Sequence, residues 1–260
     1  YGISDMQASA VIAVLSPQND WLENVSAAER VMDAVFAMRD FRWDDAMTAE
    51  ADKWEAGNKA AKEKKSEKYT PDAELPNAKG KTLGEVLNNP AVAARWIRFY
   101  DQAHNNRGFR ILTPEGGSLD FSKTKGGSNA TMRWKTFDSI AKAVSILNDG
   151  RAENVFYQLG EEHKVRNFYN NLFDPNSDLG FTTIDTHAVA AANLQALGSE
   201  DPEVLHVFGR KGSSSGFTGL RGAYAIYMAA YKQAAKERNI LPREMQSITW
   251  EAVRGLFSSD

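Results

Sequence analysis

The 260-residue sequence contains no cysteine, and this absence removes several kinds of chemistry at once. Disulfides, thiol nucleophiles, iron–sulfur clusters and cysteine-ligated zinc are all excluded. Only four histidines are present, and their positions show no metal-binding spacing. We therefore expect neither a metal ion nor a cofactor.

Long apolar runs and a strong excess of one charge are also missing. The longest apolar stretch, residues 8–15, is far shorter than the ~20 residues that a membrane-spanning helix needs, so we expect no membrane partner. No secretory leader is visible, which favours the cytoplasm of a bacterium or of a phage-infected host cell. The chain opens in mid-pattern at Tyr1, so its natural start is left open. The net charge of −3 means that a nucleic-acid partner would require a local basic face.

Helical periodicity is present through most of the chain and predicts an all-α fold. Asn89 followed by Pro90 is typical of a helix start, because asparagine caps the first turn and proline fits the first helical position. Helices are expected over residues 3–15, 20–39, 44–68, 91–102, 135–147, 152–159, 164–172, 186–197, 220–238 and 242–256.

Two short segments interrupt this helical pattern. Residues 109–112 and 118–121 are separated by proline and glycine, which predicts a small β-hairpin. A length near 260 allows one large domain or two small ones. We interpret residues 1–260 as a single helical domain, expected to be monomeric, in which residues 42–130 are an insertion containing the hairpin.

The most informative pattern lies between residues 158 and 198. Gly160 marks a tight turn between two short helices, the second of which begins near Lys164. Asp185 comes just before a further helix, in the sequence Ile-Asp-Thr-His-Ala. Aspartate commonly caps the helix that follows it, and capping alone would explain this residue. Lys164 could in the same way simply pair with Asp185 or with Glu161 at the surface.

Three features in this order resemble the helix–hairpin–helix DNA glycosylase superfamily, which includes endonuclease III, the adenine mismatch glycosylase and 8-oxoguanine glycosylase. Residues 14–20 are similar to its Leu-Ser-x-Gln segment, and residues 134–147 to the helix before its hairpin. Lys164 lies 21 residues before Asp185, close to the separation of the family's hairpin lysine from the aspartate of its Val-Asp-Thr-His segment. Because the end of the chain also resembles uncharacterised phage and plasmid proteins, the sequence fits a divergent branch without an iron–sulfur cluster.

The resemblance implies a DNA glycosylase that acts on double-stranded DNA and flips out a modified or damaged base. Asp185 would stabilise the positive charge that develops on the sugar when the N-glycosidic bond breaks. Lys164 would attack C1′ and form a Schiff base, which adds AP lyase activity. Gln18 would fill the gap left by the extruded nucleotide, and Gly160 would let the hairpin approach a DNA phosphate.

The same resemblance suggests a DNA-contacting surface and a base pocket. Arg133 and Lys135 would contact DNA within a wider basic face, although a scattered solvated surface explains these charges equally well. The other members of that face are Arg95, Arg98, Arg107, Arg110, Lys123 and Lys125. The candidate residues for a base pocket are aromatic: Trp21, Trp134, Phe168 and Tyr169. Aromatic residues at helical spacing are more often part of the core.

The hairpin departs from the family in one respect that bears on DNA binding. The family's hairpin has two glycines around an apolar residue, whereas here Gly160 is followed by Glu161 and Glu162. Two carboxylates beside a phosphate repel it, which weakens the case for phosphate binding by this turn.

Two alternative functions stay open on the sequence. The first is a phage DNA-modification enzyme on the same fold that acts on a hypermodified nucleobase. The second is a non-catalytic DNA-binding protein. The sequence identifies neither the target base nor the choice between DNA and RNA.

Overall fold

The computed structural model describes residues 1–65, 77–105, 108–113, 115, 117–132, 134–161, 163–209, 219–220 and 222–254. Over these residues the chain is helical with one small two-stranded sheet, which confirms the all-α prediction. The chain divides into two compact units, Tyr1–Gln158 and Leu159–Asp260. The interpretation of the chain as one domain with an insertion over residues 42–130 stays a prediction.

The first unit contains most of the helices and the predicted hairpin. Side-chain caps start six of its helices, and the helix at Pro90–His104 begins as expected, with the Asn89 side chain accepting a hydrogen bond from the backbone N–H of Val92. Its elements are α1 (Asp5–Leu15), α2 (Trp21–Ala37), α3 (Asp45–Glu63), α4 (Leu83–Val86), α5 (Pro90–His104), β1 (Arg110–Leu112), β2 (Ser118–Phe121), α6 (Phe137–Asn148) and α7 (Ala152–Leu159), whose last residue opens the second unit.

Helices α1 and α5 pack along α6 to form the core of the first unit. Residues 42–130 take part in this core, because Met47 of α3 and both Trp96 and Phe99 of α5 are fully buried. The antiparallel pairing of β1 with β2 confirms the predicted hairpin. Residues 123–129 form an exposed turn that is closed by a hydrogen bond from the backbone N–H of Thr124 to the carbonyl of Ser128.

A buried polar network crosses this core and includes one of the predicted pocket residues. The Asp101 carboxylate lies 3.1 Å from the Arg30 guanidinium and accepts a 2.9 Å hydrogen bond from the Trp134 indole N–H. Burial raises the pKa of Asp101, while Arg30 and Trp134 oppose that shift. Trp134 is therefore a core residue whose polar atom is already used.

The second unit is built from five helices within the described residues: α8 (His163–Phe173), α9 (Thr186–Asn193), α10 (Pro202–Phe208), α11 (Ala223–Arg238) and α12 (Pro242–Arg254). Helix α9 packs against both α11 and α12. The hydrophobic core of the second unit includes Ile184, Val189 and Phe208. None of the helices in the described part of the chain is long and apolar enough to cross a membrane.

One helix end and one unpredicted helix set the second unit apart from the sequence prediction. Helix α9 ends four residues before the predicted end at 197, because Leu194 adopts a left-handed conformation with φ of 54°. Helix α10 was not predicted at all. It begins at Pro202 and ends at Phe208, before Gly209, whose φ is 66°, and seven residues are too few to show a clear helical period.

Candidate functional site

The turn between α7 and α8 has the tight geometry that the sequence predicts. Gly160 has a φ of 66°, a conformation that glycine adopts at little cost. Its carbonyl accepts a hydrogen bond from the Arg166 guanidinium, which ties the turn to the first part of α8. Glu161 is exposed at this turn, and Glu162 lies outside the described residues.

Replacing Gly160 by alanine is expected to lower the free energy of unfolding by about 1 kcal/mol. No atom would clash with the new Cβ, so the cost comes only from the positive φ. Gly57, inside α3, is a matched control, since its Cβ would also meet open space and its φ is ordinary. Gly57→Ala is expected to raise stability by about 0.5–1 kcal/mol in the same urea titrations. Equal effects of the two substitutions would contradict this explanation.

Asp185 lies at the start of α9 and caps it. Its Oδ1 accepts a 2.9 Å hydrogen bond from the backbone N–H of Ala188, so the capping interpretation is confirmed. The side chain is half-buried. Within the described residues its second carboxylate oxygen makes no hydrogen bond, which leaves that oxygen available to a ligand.

Lys164 lies in the first turn of α8 and is half-buried. The proposed surface pairing of this lysine is not found: in the described part of the chain, neither Asp185 nor Glu161 forms an ion pair or hydrogen bond with it. Its amine is thus not committed to either carboxylate. The structure therefore does not support charge pairing with Asp185 or Glu161 as the role of Lys164.

One face of α8 contacts the segment that leads into Asp185. Lys164, Asn167 and Asn171 share this face, because residues three and four apart lie above one another on a helix. The Asn171 side chain donates a 3.0 Å hydrogen bond to the Thr183 hydroxyl. The helix that carries Lys164 is in this way joined directly to the residues that precede Asp185.

Tyr224, near the start of α11, connects the same two elements. Its hydroxyl accepts a 2.9 Å hydrogen bond from the backbone N–H of Ile184 and contacts the Asn167 side chain of α8. Burial, chiefly, and the nearby charge of Asp185 raise the pKa of Tyr224. Lys164 and Asp185 thus belong to elements that share two separate polar links.

A cleft of about 470 Å³ opens beside Tyr224. The ring of His163 lies against the Tyr224 ring, with their centroids 5.0 Å apart. The described residues that line the cleft are mostly apolar: His163, Val207, Leu220, Gly222, Tyr224, Ala225 and Met228. His163 is the neighbour of Lys164 in sequence, so the cleft begins next to the candidate lysine.

The structure places the predicted aromatic pocket residues elsewhere. Trp134 is in the core of the first unit, and Trp21 is half-exposed at the start of α2. Phe168 is half-buried on α8, and Tyr169 is buried and stacks on Phe173 at 5.6 Å. None of these four is among the described residues that line the cleft. No sequence signal selects Tyr224, because the partners of its hydroxyl are backbone atoms some 40 residues away.

Gln18 lies in the first unit, at the turn between α1 and α2. Its side chain is exposed, and its φ of 64° places it in the left-handed region that non-glycine residues rarely adopt. Lys135 is half-buried just before α6, and Arg133 lies outside the described residues.

The expected basic face is wrong for Arg95 and Arg98, whose guanidinium groups pack against aromatic rings. Arg95 is 2% exposed and forms a 2.9 Å ion pair with Glu55, and Arg110 pairs with Glu29. The Arg98 guanidinium lies 4.7 Å from the centre of the Phe137 ring, and burial together with Arg95 lowers its pKa to about 10. The Arg95 and Arg98 side chains pack inside the first unit, whereas Arg110 is partly exposed. Lys123 and Lys125 are exposed, and Arg107 lies outside the described residues.

Across the described residues, no group of three or more histidine, aspartate or glutamate side chains is arranged to hold a metal ion. Lys164 and Asp185 both lie in the second unit, on elements joined by polar contacts, and His163, the neighbour of Lys164, lines the apolar cleft.

The chain belongs to a family described as "Family of unknown function (DUF7178)", whose sequence model matches residues 124–257. This range includes both Lys164 and Asp185, and it leaves out Gln18 and Trp21. No curated protein and no solved structure matches the chain.

Proposed function

We propose that the protein is a DNA glycosylase of helix–hairpin–helix type that removes a modified or damaged base, with AP lyase activity through Lys164. The observation that carries the proposal is the contact between the lysine-bearing face of α8 and the segment that ends at Asp185. The family match, which contains both residues, is consistent with this pair being part of what the family shares.

The chemistry follows from the two side chains. When the C1′–N bond breaks, its electron pair leaves with the base, which takes up a proton, and positive charge develops on the sugar. The free oxygen of Asp185 would stabilise that charge while its other oxygen keeps the cap of α9. The Lys164 amine would then form a bond to C1′ and lose a proton. The C1′–O4′ bond of the sugar ring would break next, with its electron pair going to O4′, which takes up a proton, while the nitrogen lone pair completes the C=N bond of the Schiff base.

The cleft beside His163 and Tyr224 is a suitable place for an extruded base. Its walls are mostly apolar, which suits the faces of a flat heterocycle, and His163 offers a hydrogen-bonding group at one side. The substrate in this proposal is double-stranded DNA, and the protein would act as a monomer in the cytoplasm of a bacterium or phage-infected cell.

Gln18 gives a test of the DNA-facing turn that separates stability from function. Gln18→Gly is expected to raise the free energy of unfolding by up to about 1 kcal/mol, because glycine accepts the positive φ without strain. Under the proposed function the same substitution lowers base release, since the amide that fills the gap in the duplex is lost. Urea titration and single-turnover assays measure the two effects. Unchanged base release would show that Gln18 has only a structural role.

The proposal as a whole is tested with the wild-type chain and a panel of duplexes, each carrying one modified base. Release of a base is measured by alkaline cleavage of the resulting abasic site, and the Schiff base by borohydride trapping. We expect release from at least one duplex and a trapped adduct on an abasic duplex. DNA binding without release supports the non-catalytic alternative, and a change in the mass of a base without its release supports a DNA-modification enzyme.

A further inference from the structure

The Tyr224 hydroxyl occupies an unusual position in the second unit. It donates a 3.1 Å hydrogen bond to the carbonyl of Thr182 and accepts a 2.9 Å hydrogen bond from the N–H of Ile184. It thereby bonds to the backbone on both sides of Thr183. With the 3.1 Å hydrogen bond from the N–H of Ile184 to the carbonyl of Thr182, they hold the short turn that leads to Asp185, the cap of α9.

The surroundings of this hydroxyl leave little room for a substitute partner. Tyr224 is 5% exposed, and Thr182 and Ile184 are both 0% exposed. If the hydroxyl is removed, the N–H of Ile184 keeps only its 3.1 Å hydrogen bond to the carbonyl of Thr182, two residues earlier. Water has no ready access to replace the lost partner, and a buried N–H that loses a hydrogen-bond partner is costly. Burial raises the pKa of Tyr224, so the hydroxyl keeps its proton and remains a donor at every physiological pH.

A third partner extends the link to α8. The hydroxyl contacts Asn167, whose own Nδ2 donates a 2.9 Å hydrogen bond to the carbonyl of His163, the residue before Lys164. The His163 ring also lies against the Tyr224 ring. One side chain of α11 therefore touches both the backbone that leads to Asp185 and the turn of α8 that carries Lys164.

We propose that Tyr224 is a positioning residue, whose hydroxyl fixes residues 182–184 and so holds the Asp185 carboxylate in place relative to the lysine-bearing face of α8. Its consequence for catalysis rests on the proposed function. The structural role of Tyr224 does not depend on that function, because the position of the Asp185 side chain can be measured without any reaction.

The test compares Tyr224→Phe with a matched control in the same helix. Tyr231 is also buried, and its hydroxyl donates a 2.9 Å hydrogen bond to the carbonyl of Ala188, inside α9. In Tyr224→Phe, hydrogen exchange of the Ile184 amide is expected to accelerate about 10-fold. The side-chain carboxyl ¹³C resonance of Asp185 should shift as well. Tyr231→Phe removes a buried hydroxyl that does not bond to residues 182–184, so it should leave the exchange of the Ile184 amide close to wild type.

A second variant and an activity readout complete the test. Asn167→Ala keeps the hydroxyl but removes its α8 partner, and should shift the Asp185 resonance even if Tyr224→Phe folds poorly. Base release by Tyr224→Phe should show kcat reduced about 10-fold with KM unchanged. Wild-type Ile184 exchange and an unmoved Asp185 resonance in both variants would overturn the inference. If the wild type releases no base, the proposed function fails, and the exchange and resonance data still decide the role of Tyr224.

Discussion

Asp185→Asn is expected to reduce base release by about 10²–10⁴-fold while leaving the fold and the affinity for DNA unchanged. Asparagine is as good a helix cap as aspartate, so its side-chain oxygen can keep the hydrogen bond from Ala188. The substitution therefore removes the negative charge and little else. Single-turnover release of base at saturating enzyme measures the chemical step directly.

Asp185→Ala provides the necessary comparison, because it removes the charge and the cap together. It should lose base release to the same extent as Asp185→Asn and should also lower the free energy of unfolding by about 1 kcal/mol. Asp201→Asn, at the start of α10 in the same unit, is the control for an aspartate with no assigned chemistry. Full activity in Asp185→Asn would mean that this residue serves only as a cap.

Most of the helices could be predicted because long amphipathic segments carry many repeats of the helical period. Helix α5 is the clearest case, since the cap at Asn89, the proline after it and the apolar stripe all agree. Short elements carry too few repeats, and α10 was missed for that reason. The early end of α9 depends on the left-handed conformation of Leu194, which leucine seldom adopts and no local sequence rule anticipates.

The candidate site was predictable only where it is local in sequence. Gly160, Lys164 and Asp185 stand out because a turn glycine and a helix cap have recognisable neighbours. Tyr224 does not, because it acts through backbone atoms of a distant segment. A sequence pattern contains no record of such a contact, and only the fold reveals it.

The basic face shows the opposite error, in which a pattern visible in the sequence has another cause. Arg95 and Arg98 are one turn apart on α5 and read as a charged surface stripe. Their guanidinium groups instead lie against the rings of Trp54 and Phe137, and Glu55 neutralises Arg95. Arginine can be buried in this way because its flat guanidinium stacks on aromatic rings. Any DNA contact by the first unit must therefore come from other residues, such as the exposed Lys123 and Lys125.

Lys164→Ala is expected to abolish the borohydride-trapped adduct on an abasic duplex, because the amine that bonds to C1′ is gone. Alanine favours helices, and Lys164 has no hydrogen bond or ion pair to Asp185 or Glu161 in the described part of the chain, so α8 should be preserved. Lys164→Arg keeps the positive charge without a competent nucleophile. It should bind DNA as the wild type does and still give no adduct.

Lys236→Ala, near the exposed end of α11, is the control for a lysine far from the proposed chemistry, and it should trap DNA normally. The comparison of Lys164→Ala with Asp185→Asn then separates two mechanisms. If Lys164 is the nucleophile, its alanine variant loses the adduct together with most base release. If water is the nucleophile, the variant keeps base release and loses only strand cleavage, because Asp185 alone can support hydrolysis. An adduct of wild-type intensity in Lys164→Ala would show that the amine responsible lies elsewhere in the chain.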